Sequence, residues 1–179
     1  MVIAPAHHRR IQAGILSWGQ DLDNEHNPFQ CNLGYQVSLS GKGEWNKQTD
    51  YVGKEALEKM KSQLKNGEKP YKLQLVGLEF GGKPVEDYAN DFWLISNEKG
   101  GKPVGFITSP WYHPEKRTNI AMGYVPYEGN LNSNGFPTGN FGKKYKVHLP
   151  QKYSAKPVNA TVVPLPFTES VNANTREAK

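Results

Sequence analysis

Residues 73–108 read LQLVGLEFGGKPVEDYANDFWLISNEKGGKPVGFIT, and their pattern decides the fold class. Leu73, Leu75 and Gly77 alternate with Gln74, Val76 and Leu78, the two-residue period of a strand. Phe92-Trp93-Leu94-Ile95 and Gly105-Phe106-Ile107-Thr108 are short apolar runs of strand length. The pentapeptide GGKPV stands at residues 81–85 and again at residues 100–104. Glycine supplies positive φ and proline fixes turn geometry, so the spacing predicts two similar hairpin turns. Their flanks differ, which argues against a repeat architecture.

Toward the C-terminus, strands are expected over Asn119–Val125, Tyr145–Leu149 and Ala160–Leu165. Short strands separated by Gly/Pro turns point to a small barrel or sandwich. The stretch Glu128–Gly142 is rich in Asn and Gly and reads as an exposed loop, and residues 168–179 read as a polar tail.

Toward the N-terminus, Ile11, Ile15 and Trp18 form one apolar stripe, predicting a helix over residues 6–18 between Pro5 and Gly19. A polar stretch with the step Asn27-Pro28 follows. Tyr35, Val37 and Leu39 alternate as a half-buried strand would over Gly34–Leu39. A second helix is expected over residues 53–66. Asp50 precedes it, Leu57, Met60 and Leu64 form its buried stripe, and Gly67 stops it with Pro70 just beyond. The fold class is α+β, mostly β.

Net charge is +5 with a pI near 9.2, which suits an anionic partner. Lys and Arg are spread along the chain, which argues against nucleic acid as that partner. No run approaches the roughly 20 apolar residues of a membrane-spanning helix, and the N-terminus lacks the layout of a secretory signal. A cytoplasmic protein with no membrane association is therefore expected. The single cysteine, Cys31, excludes an internal disulfide and a multi-thiolate metal site. His7 and His8 are adjacent, so on a helix they point about 100° apart and do not naturally share a metal. No nucleotide-binding glycine loop, HExxH or CxxC is present. The residues alone therefore give a basic α+β domain with no catalytic and no metal residues to nominate.

Three ordered segments carry a family likeness. The first is Arg10-Ile-Gln-Ala-Gly-Ile-Leu-Ser-Trp-Gly-Gln-Asp21, continuing through Asn27-Pro28-Phe29. The second is Asp50-Tyr-Val-Gly-Lys-Glu-Ala-Leu57. The third is Gly105-Phe-Ile-Thr-Ser-Pro-Trp-Tyr-His-Pro114 with Asn119-Ile-Ala-Met-Gly-Tyr-Val-Pro126. Pro166-Phe167 adds a closing match. Together they resemble the C-terminal half of the glycine-cleavage T-protein (aminomethyltransferase) family.

That resemblance implies the end of a folate-binding domain over residues 1–50, then an aminomethyltransferase-type C-terminal β-barrel over residues 51–167. It implies tetrahydrofolate as cofactor. Arg10 and Trp18 would meet the pterin or its carboxylates, and Trp111 and Tyr112 are further folate-binding candidates taken as loop aromatics. Thr108 and Ser109 read as a pair that satisfies turn backbone groups. The implied partners are a small methyl donor, folate, the missing N-terminal half of the same enzyme, and a second copy of the chain in a homodimer. Two positions depart from the T-protein pattern, which has arginine where Ala6 stands and glutamate where Gln12 stands. The stretch resembles instead the demethylase-like branch, which includes dimethylsulfoniopropionate demethylase. The implied activity is methyl transfer from a sulfonium or methylamine to N5 of tetrahydrofolate, with little turnover by this part alone. Aminomethyl transfer in glycine cleavage and a non-catalytic folate- or partner-binding barrel are the alternatives.

Overall fold

The computed structural model describes residues 7–37, 51–129 and 138–168. Six strands carry the fold: β1 (Leu73–Phe80), β2 (Trp93–Asn97), β3 (Pro103–His113), β4 (Thr118–Pro126), β5 (Lys144–Val147) and β6 (Val158–Val163). All pairs are antiparallel, in the order β1-β4-β3-β2-β5-β6. The sheet closes on itself through β1 and β6, from Gly77 opposite Val163 to Phe80 opposite Ala160. Closure leaves no unpaired edge. The barrel of the sequence reading is thus present, and a sandwich is excluded.

Period-two alternation sends Val76, Leu78 and Phe80 of β1 inward. They meet Trp93, Ile95, Ile107, Ala121, Val125, Tyr145, Val147, Ala160 and Val162 in one apolar core. The opposite face of β1, β3 and β4 is also covered. Leu75, Ile120, Met122 and Tyr124 pack there against Ile11 from the N-terminal segment and Phe167 from the C-terminal end. This double burial explains why β4 is buried at every position except its two ends. Gly123 permits the close approach of β3 and β4, since a Cβ there would lie 2.6 Å from the Phe106 carbonyl oxygen.

The described residues include two helices, α1 (His7–Gln12) and α2 (Lys54–Lys65), with a short 3-10 turn at Gly34–Gln36. α2 agrees with the expected helix. Leu64 is buried, and Gly67 (φ +77°) ends it with Glu68 N–H on Gln63 O at 2.9 Å and Gly67 N–H on Leu64 O at 3.1 Å. Asp50 lies outside the described residues.

α1 is shorter than expected. Gly14 takes φ +67°, its N–H bonds Ile11 O at 3.0 Å, and Ile15 N–H bonds Arg10 O at 2.8 Å. This is the same glycine stop that ends α2, placed at Gly14 rather than Gly19. Of the expected stripe, Ile11 is buried, while Ile15 and Trp18 are 59% and 66% exposed. The expected strand at Gly34–Leu39 is also corrected. Gly34–Gln36 forms the 3-10 turn with Tyr35 exposed, and residues 38 and 39 lie outside the described residues.

The two GGKPV stretches differ. Residues 100–104 make the expected hairpin between β2 and β3, with Gly100 and Gly101 at φ +84° and +102°. Residues 81–85 do not, because β1 pairs with β4 and β6 rather than β2. They cross an end of the barrel instead. Asn119 Nδ2 donates to the Gly81 and Lys83 carbonyls, at 3.2 and 3.1 Å, and its Oδ1 accepts Val85 N–H at 3.0 Å. Val85 is thereby fully buried against the core.

Candidate functional site

Polar groups converge on the outer face of β3, where a strand irregularity aims them. The β3–β4 register steps from Ile107 opposite Gly123 to Ser109 opposite Met122, so Thr108 is an extra residue. In a regular strand, consecutive side chains point to opposite faces. A bulge re-aims one of them. The Thr108 and Ser109 hydroxyls consequently both donate to the same acceptor, Asp21 Oδ1, at 2.5 and 2.6 Å. The pair therefore lies within a strand and serves a buried carboxylate, not the backbone groups of a turn.

Asp21 Oδ2 accepts the Ser17 N–H at 2.9 Å and Arg10 Nη1 at 2.7 Å. The carboxylate is wholly buried. Its acceptor sites are filled by two hydroxyls, an amide and a guanidinium. Tyr124 OH donates to the Asp21 carbonyl at 2.6 Å, and burial pushes the Tyr124 pKa far up, which keeps that proton in place. The Cys31 thiol lies 3.4 Å from the same hydroxyl, and burial likewise raises its pKa.

Arg10 is equally engaged. Nη1 also donates to Ile15 O at 3.1 Å, Nη2 donates to Gln20 Oε1 at 3.0 Å and Ser109 Oγ at 2.8 Å, and Nε donates to His7 Nδ1 at 3.3 Å. Gln20 Nε2 closes the ring on the Thr108 carbonyl at 3.0 Å. Removing one member of a buried pair such as this strands the other charge, at a cost of about 3–5 kcal/mol. The arrangement is a lock. It fixes the N-terminal segment to the barrel and offers no free carboxylate lone pair for general base work.

His7 sits beside the lock under the exposed Tyr88 ring, with centroids 3.9 Å apart. Burial, then the Arg10 charge, lower its pKa to about 4. Because Nδ1 accepts from Arg10, Nε2 carries the proton. That nitrogen is buried with no hydrogen-bond partner among the described residues.

The nominated residues fall in two places. Trp18 is on a turn held by Gly19 N–H to Leu22 O at 2.8 Å and Asp21 N–H to Ser17 O at 2.8 Å, so its indole is exposed on an anchored backbone. Trp111 and Tyr112 belong to β3, not to a loop, and both are half-buried. Trp111 packs edge-on to His7 at 5.3 Å and so lies one side chain from Arg10. Tyr112 follows it, and strand alternation turns it to the other face. Asp21, Ser17, Gln20 and Tyr124 were given no role from sequence. The signal for Asp21 was its place between uncharged residues 11–20 and a turn, but its partners lie 87 and 88 positions away.

Residues 74–169 match the family of the glycine cleavage T-protein C-terminal barrel domain. An aminomethyltransferase of Synechocystis is 34% identical over 119 residues, covering 66% of this chain and 27% of that protein. The dimethylsulfoniopropionate demethylase DmdA of Ruegeria pomeroyi is 33% identical over 121 residues, covering 68% of this chain and 28% of that protein. An aminomethyltransferase of Thermosynechococcus vestitus is 31% identical over 159 residues, covering 88% and 35%. The crystal structure of the glycine cleavage system aminomethyltransferase T from Bartonella henselae superposes with a TM-score of 0.61 at 22% identity, covering 89% of this chain and 37% of that one. That likeness establishes the fold. The chain spans about a quarter to a third of the length of these curated relatives.

Proposed function

The chain belongs to the glycine cleavage T-protein C-terminal barrel family, and on that premise we propose that it forms the C-terminal part of a tetrahydrofolate-dependent methyltransferase of demethylase type. The observation that carries the reading is Trp18, an exposed indole on a backbone fixed by the Asp21 lock. The similarity to a dimethylsulfoniopropionate demethylase and the residues Ala6 and Gln12 favour a methylated donor.

The residues fit a pterin as one wall of a site. Trp18 offers a flat face for stacking, and Trp111 is a second aromatic position toward the end of β3, with Tyr112 turned to the opposite face. Arg10 has each guanidinium nitrogen engaged within the protein, so its proposed part is to place the Trp18 segment. When bound, tetrahydrofolate supplies N5 as acceptor of the methyl group. This part of the enzyme contributes positioning, which lowers the barrier by holding reactants in near-attack geometry. Among the described residues around Trp18, the buried Asp21 carboxylate has its acceptor sites occupied by Thr108, Ser109, Ser17 and Arg10.

A second reading is aminomethyl transfer in glycine cleavage, favoured by the relative that covers 88% of this chain. The full enzyme, assayed with tetrahydrofolate and three donors, decides between them. Turnover of dimethylsulfoniopropionate or a methylated glycine supports the first reading. Turnover that requires an aminomethyl-loaded lipoyl carrier protein replaces it with the second. Trp18→Ser should raise the KM for tetrahydrofolate roughly five- to tenfold, since an aromatic stack is worth about 1 kcal/mol. Unchanged kinetics in that variant would remove Trp18 from the site.

A further inference from the structure

We infer that the ring cluster of His7, Tyr88 and Trp111 is a binding site for a small aromatic carboxylate, whose oxygen accepts the His7 Nε2–H while its ring lies against Tyr88 and Trp111. The inference goes beyond the reading above and holds whichever one-carbon unit the enzyme moves. Its root is an uncompensated donor. Arg10 Nε occupies His7 Nδ1 at 3.3 Å, which leaves the proton on Nε2. His7 is only 9% exposed, and Nε2 has no hydrogen-bond partner among the described residues. Buried polar groups of native folds are nearly always paired, and one left without a partner costs stability.

Three further rings adjoin the donor, each in contact with the next. Tyr88 lies over His7 at 3.9 Å, Trp111 meets His7 edge-on at 5.3 Å, and His8 stacks on Trp111 at 6.2 Å. Trp111 is fixed, being opposite Ile120 in the β3–β4 register and packed on the outer apolar cluster. Tyr88 is fixed only through its backbone. Val85 O accepts the Tyr112 N–H at 2.8 Å, and Asp87 accepts from Lys152 Nζ at 2.8 Å and Tyr153 OH at 3.2 Å. The Tyr88 side chain itself is 61% exposed, so the phenol can turn aside without moving the chain. It covers the site at rest and becomes one of its walls when a ligand enters.

The class of ligand follows from charge and shape. A neutral imidazole N–H requires an acceptor atom. Burial is the chief cause of the lowered His7 pKa, and among the charges around it Arg10 outweighs Asp21, so the ring stands in a positive field. Residues 7–10, His-His-Arg-Arg, contain no acid, and the Asp87 carboxylate beside Tyr88 is engaged by Lys152. An anionic oxygen makes the stronger hydrogen bond in such a place. Tyr88 and Trp111 offer ring faces and edges, which favour an aromatic body over an aliphatic one. A metal ion is disfavoured, because Nδ1 is taken by Arg10 and Nε2 holds its proton.

Titration of the full chain with benzoate, followed by calorimetry and by NMR of the histidine side-chain nitrogens, tests the assignment. Benzoate should bind one-to-one, and the His7 Nε2–H signal should move downfield as the carboxylate accepts it. Acetate, which has the carboxylate but no ring, should bind about fivefold more weakly. His7→Phe keeps a ring under Tyr88 but removes the donor, and it should weaken benzoate binding roughly tenfold. Tyr88→Ala, at an exposed side chain, should weaken it about fivefold by removing one wall. Phe141→Ala, at another exposed aromatic, should leave it unchanged. Absence of benzoate binding overturns the inference. So does binding that leaves the His7 signal unmoved, that ignores Tyr88→Ala, or that is matched by acetate. If His7→Phe does not fold, the NMR signal and Tyr88→Ala decide the matter by themselves.

Discussion

The two faces of β3 are built on different physics. Inward, Ile107 joins an apolar core in which each contact is individually weak and replaceable. Outward, one residue later, Thr108 and Ser109 enter a polar lock in which every group depends on the next. Apolar cores tolerate substitution if volume is conserved. A buried charge pair tolerates loss of both partners better than loss of one. The barrel should therefore lose stability by degrees when altered from inside. Altered from outside it should fail abruptly.

The largest effect is expected at Asp21. Asp21→Ala strands the Arg10 guanidinium and should cost about 3–5 kcal/mol in urea unfolding. Replacing both charges, Asp21→Leu with Arg10→Met, should recover most of that loss. If the double variant is as unstable as the single one, stranding of charge is not the cause. On the inner face, Ile107→Ala should cost about 2–4 kcal/mol through lost transfer energy and a cavity. Ile107→Val should cost about 1 kcal/mol. Within the lock, loss of any one charged partner leaves the other unpaired, and that asymmetry is the sharpest form of the comparison.

Asn119 tests the same contrast at the end of the barrel. Its amide serves three backbone groups of residues 81–85. Asn119→Ala should cost about 1–3 kcal/mol by leaving those groups unpaired. The identical pentapeptide at residues 100–104 has no such support, since its glycines form a hairpin unaided. A substitution at Lys102 should therefore be close to neutral by the same measurement.

These contrasts mark what could be read from sequence. Strands with period two between Gly/Pro turns gave away a barrel-like fold, because alternation is local. Closure by β6 on β1 was not local, so barrel and sandwich stayed open. Gly14 and Gly19 both looked able to stop α1. The choice of Gly14 depends on Ile11 and the Gln12 carbonyl, which binds Phe167 N–H at 2.8 Å, and that partner is 155 residues on. GGKPV has one sequence and two conformations, because Asn119 reaches only the first copy. Thr108 and Ser109 were legible as a polar pair, but a bulge made them face the same way, and register is not written in either residue.

His7 extends the comparison to pH. Its folded pKa, about 4, lies below the ordinary histidine value near 6.5, so the folded state prefers it neutral. Its contribution to stability is complete above pH 6.5 and is lost as pH falls toward 4, because the unfolded chain takes up the proton first. His113 is lowered in the same direction by burial and by Lys116, so it adds to the slope. His7→Asn keeps an oxygen that can accept from Arg10 Nε, and it should flatten the stability profile between pH 6.5 and 4 without abolishing it. A profile as steep as that of the unaltered protein would assign the slope to His113.

The smallest expected effect is the most diagnostic. Trp18 is chain neighbour to Ser17, whose amide is inside the lock, yet its own side chain is 66% exposed. If the lock exists for stability alone, nothing requires an indole there, and surface substitutions of this kind stay within about 0.5 kcal/mol. Trp18→Ser should thus leave the urea midpoint nearly unchanged while weakening tetrahydrofolate binding by the full enzyme. A large loss of stability would instead place the indole among the packing groups and dissolve the distinction between a lock that holds the segment and a side chain the segment is held to present.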